Sequence, residues 1–277
     1  MSPAVAPAVG IFDSGLGGLS VWAAIRRACP NAPCLYLADQ AHMPYGPRPD
    51  TEIRALSLAI SDYLMAAGAR LIVVACNTAS AAALATLRAA HPGYPFVGME
   101  PAVKPAALAT RSGVVGLMAT RGTLRGALLR NTAARFAGQV DIVSSECPGL
   151  AEAIERGATE SELEERLREH VAPLLARGAD HIVLGCTHYP LAQTLLQEIV
   201  GPTVTLLDPA PAVARQVARL WCHADGDASD RFATTGDPTT LRSMLARSFG
   251  LTTSVQAVKW AADREHFEVP KDGPFPR

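Results

Sequence analysis

The stretch "RLIVVACNTAS", residues 70 to 80, decides the fold class. Its apolar run lacks polar alternation, which is typical of a strand buried on both faces of a parallel sheet. The run ends in Cys76, and Asn77 and Thr78, residue types that favour helix starts, follow directly. A second stretch, "HIVLGCTHYP" at 181 to 190, repeats this order of apolar strand, cysteine and polar residues. The sequence therefore predicts strands alternating with helices, the α/β class.

Similar β-rich runs occur along the chain, separated in several places by amphipathic helical segments. We predict strands at 8–12, 34–38, 70–75, 113–118, 141–145, 181–185 and 203–207. Two similar α/β domains, each a mainly parallel sheet flanked by helices, would bring the two cysteine stretches together across a cleft. Because Pro and Gly cluster at both crossovers, we assign residues 1–98 and about 209–277 to the first domain and 99–208 to the second.

Two local predictions concern a helix and the C-terminus. Ser161 and Glu164 have the spacing of a capping box and predict a helix start, and Pro173 predicts a kink or an early end of that helix. The final stretch "HFEVPKDGPFPR", residues 266 to 277, predicts a loose terminus.

Composition and charge limit the function classes. The 277 residues carry a net charge of −1, and without clustered Lys and Arg a nucleic acid is not an expected partner. No apolar stretch approaches the ~20 residues of a membrane helix, and the N-terminus lacks the positive region of a signal peptide, so we expect a cytoplasmic protein. The six cysteines form no C-x-x-C pair and are expected to be reduced thiols.

Cys76 and Cys186 are the candidate reactive residues. Each is predicted at a helix start, where the helix dipole can bring the pKa of a thiol from about 8.5 toward neutrality. A single cysteine there is more often a packing residue, but two in matching positions favour chemistry. Two proton-transfer groups of one type suit stereoinversion, in which a thiolate removes a proton from one face and a thiol returns one to the other.

Polar loops after other predicted strands offer ligands for a polar substrate. The stretch "IFDSGLGGLS" at 11 to 20 presents Asp13 and Ser14 beside glycines, through which backbone N–H groups can approach an anion. It is not a dinucleotide fingerprint, because Ser20 stands where that motif requires glycine. The loops "HMPYG" and "ATRGT" add the candidate binding residues Tyr45, Gly46, Thr120 and Thr123.

The residues alone leave other functions open. His188 could pair with Cys186 in a cysteine amidohydrolase, although that function leaves Cys76 without a role. Further ligands at zinc-like spacing do not follow, and three lysines give few candidates for a pyridoxal Schiff base, so neither a metal nor a cofactor is expected. A non-catalytic amino-acid-binding protein would need neither thiol.

Six motifs, in chain order, resemble those of the glutamate racemases within the aspartate/glutamate racemase superfamily: "GIFDSGLGGLSV", "MPYG", "VVACNTASA", "VGMEPAVKPA", "GLMATRGT" and "LGCTHYPL". The Cys-Thr-His form resembles the glutamate enzymes, whereas aspartate racemases tend to have Cys-Thr-Glu. The resemblance implies two domains related by a pseudo-twofold axis, no cofactor, a homodimer, and interconversion of L- and D-glutamate for bacterial peptidoglycan. The nearest alternative is a racemase of aspartate or a related acid.

The resemblance also implies individual roles. Cys76 and Cys186 act on opposite faces of the substrate, Asp13 assists Cys76, and His188 and Glu155 assist Cys186. The implied substrate-binding residues are Asp13, Ser14, Tyr45, Gly46, Asn77, Thr78, Thr120, Thr123, Thr187 and His188.

Two positions depart from the pattern of the family. Gln40 stands where a small hydroxyl residue is commoner, and Pro209 stands where serine usually follows the aspartate. Neither is a cysteine position, so we expect these departures to affect loop contacts and supporting hydrogen bonds rather than the chemistry.

Overall fold

Parallel strands form two sheets in this computed structural model, which describes residues 7–136, 138–222, 229–261, 266–268 and 275. The strands in chain order are β1 (Ala8–Asp13), β2 (Cys34–Ala38), β3 (Ala69–Val74), β4 (Phe96–Gly98), β5 (Val114–Ala119), β6 (Asp141–Glu146), β7 (His181–Gly185), β8 (Thr205–Leu207), β9 (Arg231–Thr234) and β10 (Val255–Ala257). The first sheet has the order β10-β9-β2-β1-β3-β4 and the second the order β6-β5-β7-β8. All pairings between these strands are parallel, so the predicted α/β class is confirmed.

Helices cover both faces of each sheet. They are α1 (Leu19–Ala28), α2 (Asp50–Ala66), α3 (Asn77–Ala90), α4 (Val103–Ala109), α5 (Arg121–Arg125), α6 (Ala127–Phe136), α7 (Leu150–Glu155), α8 (Glu160–Ala176), α9 (Gln193–Val200), α10 (Ala210–Leu220) and α11 (Pro238–Phe249). Short 3₁₀ helices cover Gln40–His42 and Tyr189–Ala192. None of the helices in the described ranges is long and apolar enough to cross a membrane.

The alternation of side chains along β1 explains why helices pack on both faces of the first sheet. Val9 and Ile11 pack with α1, α10 and α11 on one face, and Ala8 and Phe12 pack with α2 and α3 on the other. Fully burying an aliphatic or aromatic side chain of this kind contributes about 1.5–3 kcal/mol. Because neither face of β1 meets water, its sequence has no polar alternation.

The chain passes from the first sheet to the second between β4 and β5, and it returns between β8 and α10. We call the first sheet with its helices the first half, and the second sheet with its helices the second half. The predicted domain boundaries, near residues 98 and 209, lie within these two connections. The division into domains and the pseudo-twofold axis stay predictions.

Helix α8 differs from its prediction at both ends. Its N-cap is Thr159, whose side chain accepts a hydrogen bond from the Glu162 N–H, so the predicted start at Ser161 is two residues late. The helix continues through Pro173 to Ala176, so an early end at Pro173 is wrong, and a kink there stays a prediction.

The C-terminal stretch packs against the first half where it is described. Phe267 and Phe275 are buried, with ring centroids 4.7 Å and 5.8 Å from that of Tyr63 on α2. The indole of Trp260 lies 4.1 Å from the Phe267 ring. The prediction of a loose terminus is therefore wrong for residues 266–268 and 275, and its other residues lie outside the described ranges. All six cysteines are free, as predicted.

Candidate functional site

Loops at the carboxyl ends of strands from both sheets line one cleft. Because the strands within each sheet are parallel, the residues that follow them lie at one edge, which brings together loops that are distant in sequence. The predicted site residues that line the cleft are Ser14, Tyr45, Gly46, Cys76, Asn77, Thr78, Thr120, Thr123, Cys186, Thr187 and His188. Asp13 and Glu155 lie behind this lining.

Cys76 is the N-cap residue of α3. Its sulfur accepts a hydrogen bond from the Ala79 N–H at 3.5 Å, and its thiol donates to Ser14 Oγ at 3.6 Å. Burial raises the pKa of Cys76 and the nearby Asp13 raises it further, against the opposing effect of those two hydrogen bonds. The predicted helix position is thus confirmed, whereas the predicted lowering of this pKa is wrong because burial outweighs the helix terminus.

Asp13 lies at the end of β1 and is fully buried. Its Oδ2 accepts the Gly18 N–H at 2.8 Å, and its Oδ1 has no hydrogen-bond partner among the described residues. Burial raises the pKa of Asp13, although the charge of His188 and the bond from Gly18 oppose the shift. A carboxyl group in this environment favours the thiol form of Cys76.

Cys186 has a different local structure from Cys76. It follows β7 directly, but a turn and the 3₁₀ helix at Tyr189–Ala192 separate it from α9, so its predicted place at an α-helix start is wrong. Its sulfur lies 3.7 Å from His188 Nδ1 instead. The side chain that contacts this thiol is therefore an imidazole, and no α-helix terminus takes part.

His188 and Glu155 form a buried pair behind Cys186. His188 Nε2 lies 2.6 Å from Glu155 Oε2, and the two residues are only 2% and 9% exposed. Glu155 also accepts the Leu16 N–H at 2.8 Å and the Gln40 Nε2–H at 2.8 Å. Burial alone would raise the pKa of Glu155 and lower that of His188. The hydrogen bond to His188 lowers the pKa of Glu155 below its ordinary value, and hydrogen bonds to Cys186 and to Glu155 raise the pKa of His188 well above its ordinary value. These pKa directions favour a carboxylate at Glu155 and an imidazolium at His188, whose Nδ1 faces Cys186.

A Glu155→Gln variant is expected to lower the free energy of unfolding by about 3–5 kcal/mol, because it leaves a buried imidazolium without its counter-charge. The carboxylate of Glu155 contributes fully above about pH 4.5 and loses its contribution as the pH falls through its lowered folded-state pKa. The imidazolium of His188 contributes fully below about pH 6.5 and loses its contribution as the pH rises through its raised folded-state pKa. The difference from wild type should therefore be largest between those two pH values in denaturant titrations.

Glu164→Gln is the matched control, since Glu164 pairs with Arg168 on the exposed surface of α8. A pair of that kind is worth about 0–1 kcal/mol. A Glu155→Gln variant whose destabilisation is as small as that of Glu164→Gln, or equal at every pH, would contradict the ion pair.

Three threonine hydroxyls join the halves at one wall of the cleft. Thr78 Oγ1 of the first half lies 2.8 Å from Thr120 Oγ1 and 3.5 Å from Thr123 Oγ1 of the second. Thr120 is the N-cap residue of α5 and accepts the Thr123 N–H. The predicted threonines are therefore in mutual contact and present hydroxyl groups to the cleft.

Tyr45 lines the cleft, but its hydroxyl group points away from it. That hydroxyl donates to Asp39 Oδ2 at 2.7 Å. Asp39 is fully buried and also interacts with Trp260 Nε1 at 2.8 Å, Thr235 Oγ1 at 2.8 Å and His42 Nδ1 at 3.0 Å. This network anchors the loop that holds Tyr45 and Gly46.

Glycines in the loop between β1 and α1 let the halves approach closely. A Cβ atom on Gly17 would lie 2.6 Å from the backbone nitrogen of His188 and 2.7 Å from Thr187 Oγ1. A Cβ atom on Gly15 would collide with the Glu155 carboxylate. Both positions need glycine because a second-half residue occupies the space of a side chain.

The sequence did not identify several residues at the site. Met43, Pro44, Ala151 and Gly185 line the cleft, and Asp39 anchors one of its loops. Met43 and Pro44 stand within the "HMPYG" stretch and could have been included on that ground. Ala151 has no signal in the sequence, since an alanine on a short helix is ordinary.

Two thiols on one cleft, one beside a carboxyl group and one beside an imidazolium, form the arrangement that a two-base isomerase requires. The family model described as Asp/Glu/Hydantoin racemase matches residues 16–217. The chain belongs to this family, and the resemblance predicted from the motifs is confirmed.

Individual relatives agree with the family assignment. The chain is 50% identical over 256 residues to the glutamate racemase of Roseiflexus sp. (strain RS-1), which covers 89% of this chain and 94% of that protein. It is also 52% identical over 221 residues to the glutamate racemase of Ectopseudomonas mendocina (strain ymp). That alignment covers 79% of this chain and 84% of that protein.

Solved structures of relatives have the same fold. The crystal structure of glutamate racemase isoform RacE1 from Bacillus anthracis matches with a TM-score of 0.82 and 30% identity, covering 92% of this chain and 98% of that one. A second match is the crystal structure of Escherichia coli glutamate racemase in complex with L-glutamate and the activator UDP-MurNAc-Ala. Its TM-score is 0.80 at 32% identity, and the match covers 91% of this chain and 98% of that one.

Proposed function

We propose that this protein is a glutamate racemase, which interconverts L- and D-glutamate without a cofactor and supplies D-glutamate for peptidoglycan. The observation that supports this function most directly is that Cys76 and Cys186, one from each half, line the same cleft. Glutamate racemases about 50% identical to this chain over most of its length favour glutamate among the acids that the family could accept.

The proposed reaction is a proton transfer at each face of the α-carbon. One cysteine thiolate removes the α-proton, and the C–H electron pair remains on the substrate as a carbanion delocalised into the α-carboxylate. The S–H bond of the other cysteine breaks as its proton passes to the opposite face. The two cysteines have then exchanged thiol and thiolate forms, which suits a reaction that runs in both directions.

The surroundings of the two thiols differ in a way that fits this reaction. The imidazolium of His188 points a hydrogen-bond donor at Cys186 and stabilises negative charge there, whereas Asp13 disfavours negative charge on Cys76. The hydroxyl groups of the three threonines and of Ser14 offer neutral donors for substrate carboxylates. Fixed donors of this kind stabilise the developing carbanion without reorganisation.

Asn77 has the features of a substrate ligand, and its replacement by leucine should separate stability from function. The side chain is 3% exposed, and neither amide atom has a hydrogen-bond partner within the described part of the chain. A buried unsatisfied polar group costs about 1–3 kcal/mol, so Asn77→Leu should raise the free energy of unfolding by that amount. The KM for glutamate should rise at least about tenfold, as expected when a hydrogen bond to a charged group is lost.

Thr78→Val is the contrasting variant for stability. The Thr78 hydroxyl has a hydrogen-bond partner in Thr120, whereas the Asn77 amide has none in the described residues. The Thr78→Val variant should have a lower free energy of unfolding than wild type. Denaturant titration measures the stability of both variants, and steady-state kinetics measure their KM for glutamate. An Asn77→Leu protein that is less stable than wild type, or that binds glutamate normally, would argue against a ligand role.

The proposed function is tested with purified protein in D₂O, with L-glutamate and D-glutamate in separate reactions and without pyridoxal phosphate or metal. Decay of optical activity to zero from both sides, with deuterium at the α-carbon of the inverted product, supports two-base racemisation. Inversion of aspartate but not glutamate would favour an aspartate racemase. Release of ammonia without inversion would favour a cysteine amidohydrolase.

We also propose a cytoplasmic homodimer, on the basis of the family resemblance. Sedimentation velocity should give about twice the 29.1 kDa mass of one chain. A single species at the mass of the monomer would contradict this part of the proposal.

A further inference from the structure

Gln40 lies between the two halves and hydrogen-bonds to both of them. Its Nε2 donates to Glu155 Oε1 at 2.8 Å, and its Oε1 accepts from Thr234 Oγ1 at 2.7 Å. Thr234 is the last residue of β9, is fully buried, and accepts the Gly236 N–H at 3.0 Å through the same hydroxyl group. The Thr234 hydroxyl proton is therefore directed at Gln40, which fixes the orientation of the amide.

The hydrogen bonds continue from Gln40 to a thiol. Glu155 accepts from Gln40 and from His188 Nε2, and His188 Nδ1 faces the Cys186 sulfur at 3.7 Å. The Leu16 N–H supplies a further bond to Glu155. Glu155 belongs to the second half, yet two of these three donors come from the first. The partner of Cys186 is thus fully supported only when the halves are together.

Position 40 is one of the two at which the chain departs from its family pattern. A serine or threonine places its hydroxyl group on Cβ, whereas glutamine places its amide two bonds further from the backbone. From this position the amide of Gln40 reaches both Thr234 and Glu155. Gln40 does not line the cleft, so any effect on the reaction must pass through Glu155.

We infer that Gln40 is a positioning residue, which holds Glu155 against His188 and so supports proton transfer at Cys186 but not at Cys76. This inference rests on the proposed function. Cys76 has its own partners, Ser14 and the Ala79 N–H, and none of its hydrogen bonds in the described residues involves Gln40.

Gln40→Met tests the inference, because methionine keeps the length of the side chain and removes both hydrogen bonds. We expect kcat/KM to fall about tenfold in each direction, the size of one hydrogen bond to a charged group. The loss must be equal for both enantiomers because the equilibrium constant of racemisation is one. The primary isotope effect with α-deuterated glutamate should rise only for the enantiomer whose proton Cys186 removes.

Two further variants make the result specific. Gln197→Met is the matched control, since the Gln197 amide donates to the Gly201 and Val204 carbonyl groups far from the cleft. It should lower stability and leave both isotope effects unchanged. Thr234→Val keeps Gln40 but removes the hydroxyl that orients its amide. It should lower kcat/KM and raise the same isotope effect as Gln40→Met does, but by less.

The possible failures are distinguishable. An inactive wild-type chain overturns the proposed function and, with it, the role of Gln40 in that reaction. An active wild type with unchanged kinetics in Gln40→Met, or with isotope effects that change equally for both enantiomers, overturns the role of Gln40 alone.

Discussion

Cys76→Ser is expected to reduce racemisation about 10³-fold or more in both directions, since positioned acid–base groups contribute about 10²–10⁴-fold. A serine hydroxyl is too weak an acid to ionise to a base that could replace the thiolate, and it does not return a proton readily. In D₂O, the remaining Cys186 should still exchange the α-proton of one enantiomer without inverting it. Cys186→Ser should show the same loss of racemisation. Its remaining Cys76 should exchange the α-proton of the other enantiomer. Polarimetry and proton NMR of the α-position measure the two quantities.

Cys34→Ser is the control for these variants. Cys34 is also buried, but it is the first residue of β2 and lies at the opposite end of that strand from the cleft, where its thiol interacts with the Ala32 carbonyl and with Asp230. Racemisation should continue in this variant at close to the wild-type rate. A Cys76→Ser protein that still equilibrates the enantiomers normally would refute the assignment of Cys76 as a base.

Gly17→Ala is expected to lower kcat/KM about 10²-fold while the protein remains folded. The added Cβ would meet the backbone of His188, which cannot move aside as a flexible side chain could, so the two halves must separate slightly. A misplacement of about 1 Å at a catalytic group can cost 10²-fold in rate. Overpacking itself should cost about 1–3 kcal/mol of stability, which thermal unfolding would measure.

Gly116→Ala separates the two effects. Its Cβ would lie 3.0 Å from Leu174 and 3.1 Å from Ile182, all within the core of the second half. It should therefore lose stability without losing kcat/KM. Equal kinetic losses in Gly17→Ala and Gly116→Ala would mean that general destabilisation, and not the contact between the halves, explains the effect.

The sequence predicts the longer strands well and most of the short strands poorly. Strands such as β2 and β7 are found with their predicted bounds because both are continuous apolar runs. The strands β4, β9 and β10 were missed, since three or four residues are too few for periodicity to distinguish a strand from a loop. The N-cap of α8 was misplaced because Thr159 and Ser161 are both suitable capping residues.

At the site, the sequence identifies residues that stand next to strand ends in recognisable motifs. It does not give the environment of each residue, which depends on side chains distant in sequence. The raised pKa of Cys76 follows from tertiary burial, and no local motif encodes it. Gln40 appeared only as a departure from a pattern, because its two partners lie 115 and 194 positions away.

The bond from Trp260 to Asp39 gives the far end of the chain a part in forming the loop that holds Tyr45 and Gly46. The two residues are 221 positions apart, and Asp39 also holds the hydroxyl group of Tyr45. Removing the chain beyond residue 258 therefore alters the anchor of that loop, although Cys76 and Cys186 are retained. C-terminal truncations that remove Trp260 are therefore expected to affect the cleft as well as stability.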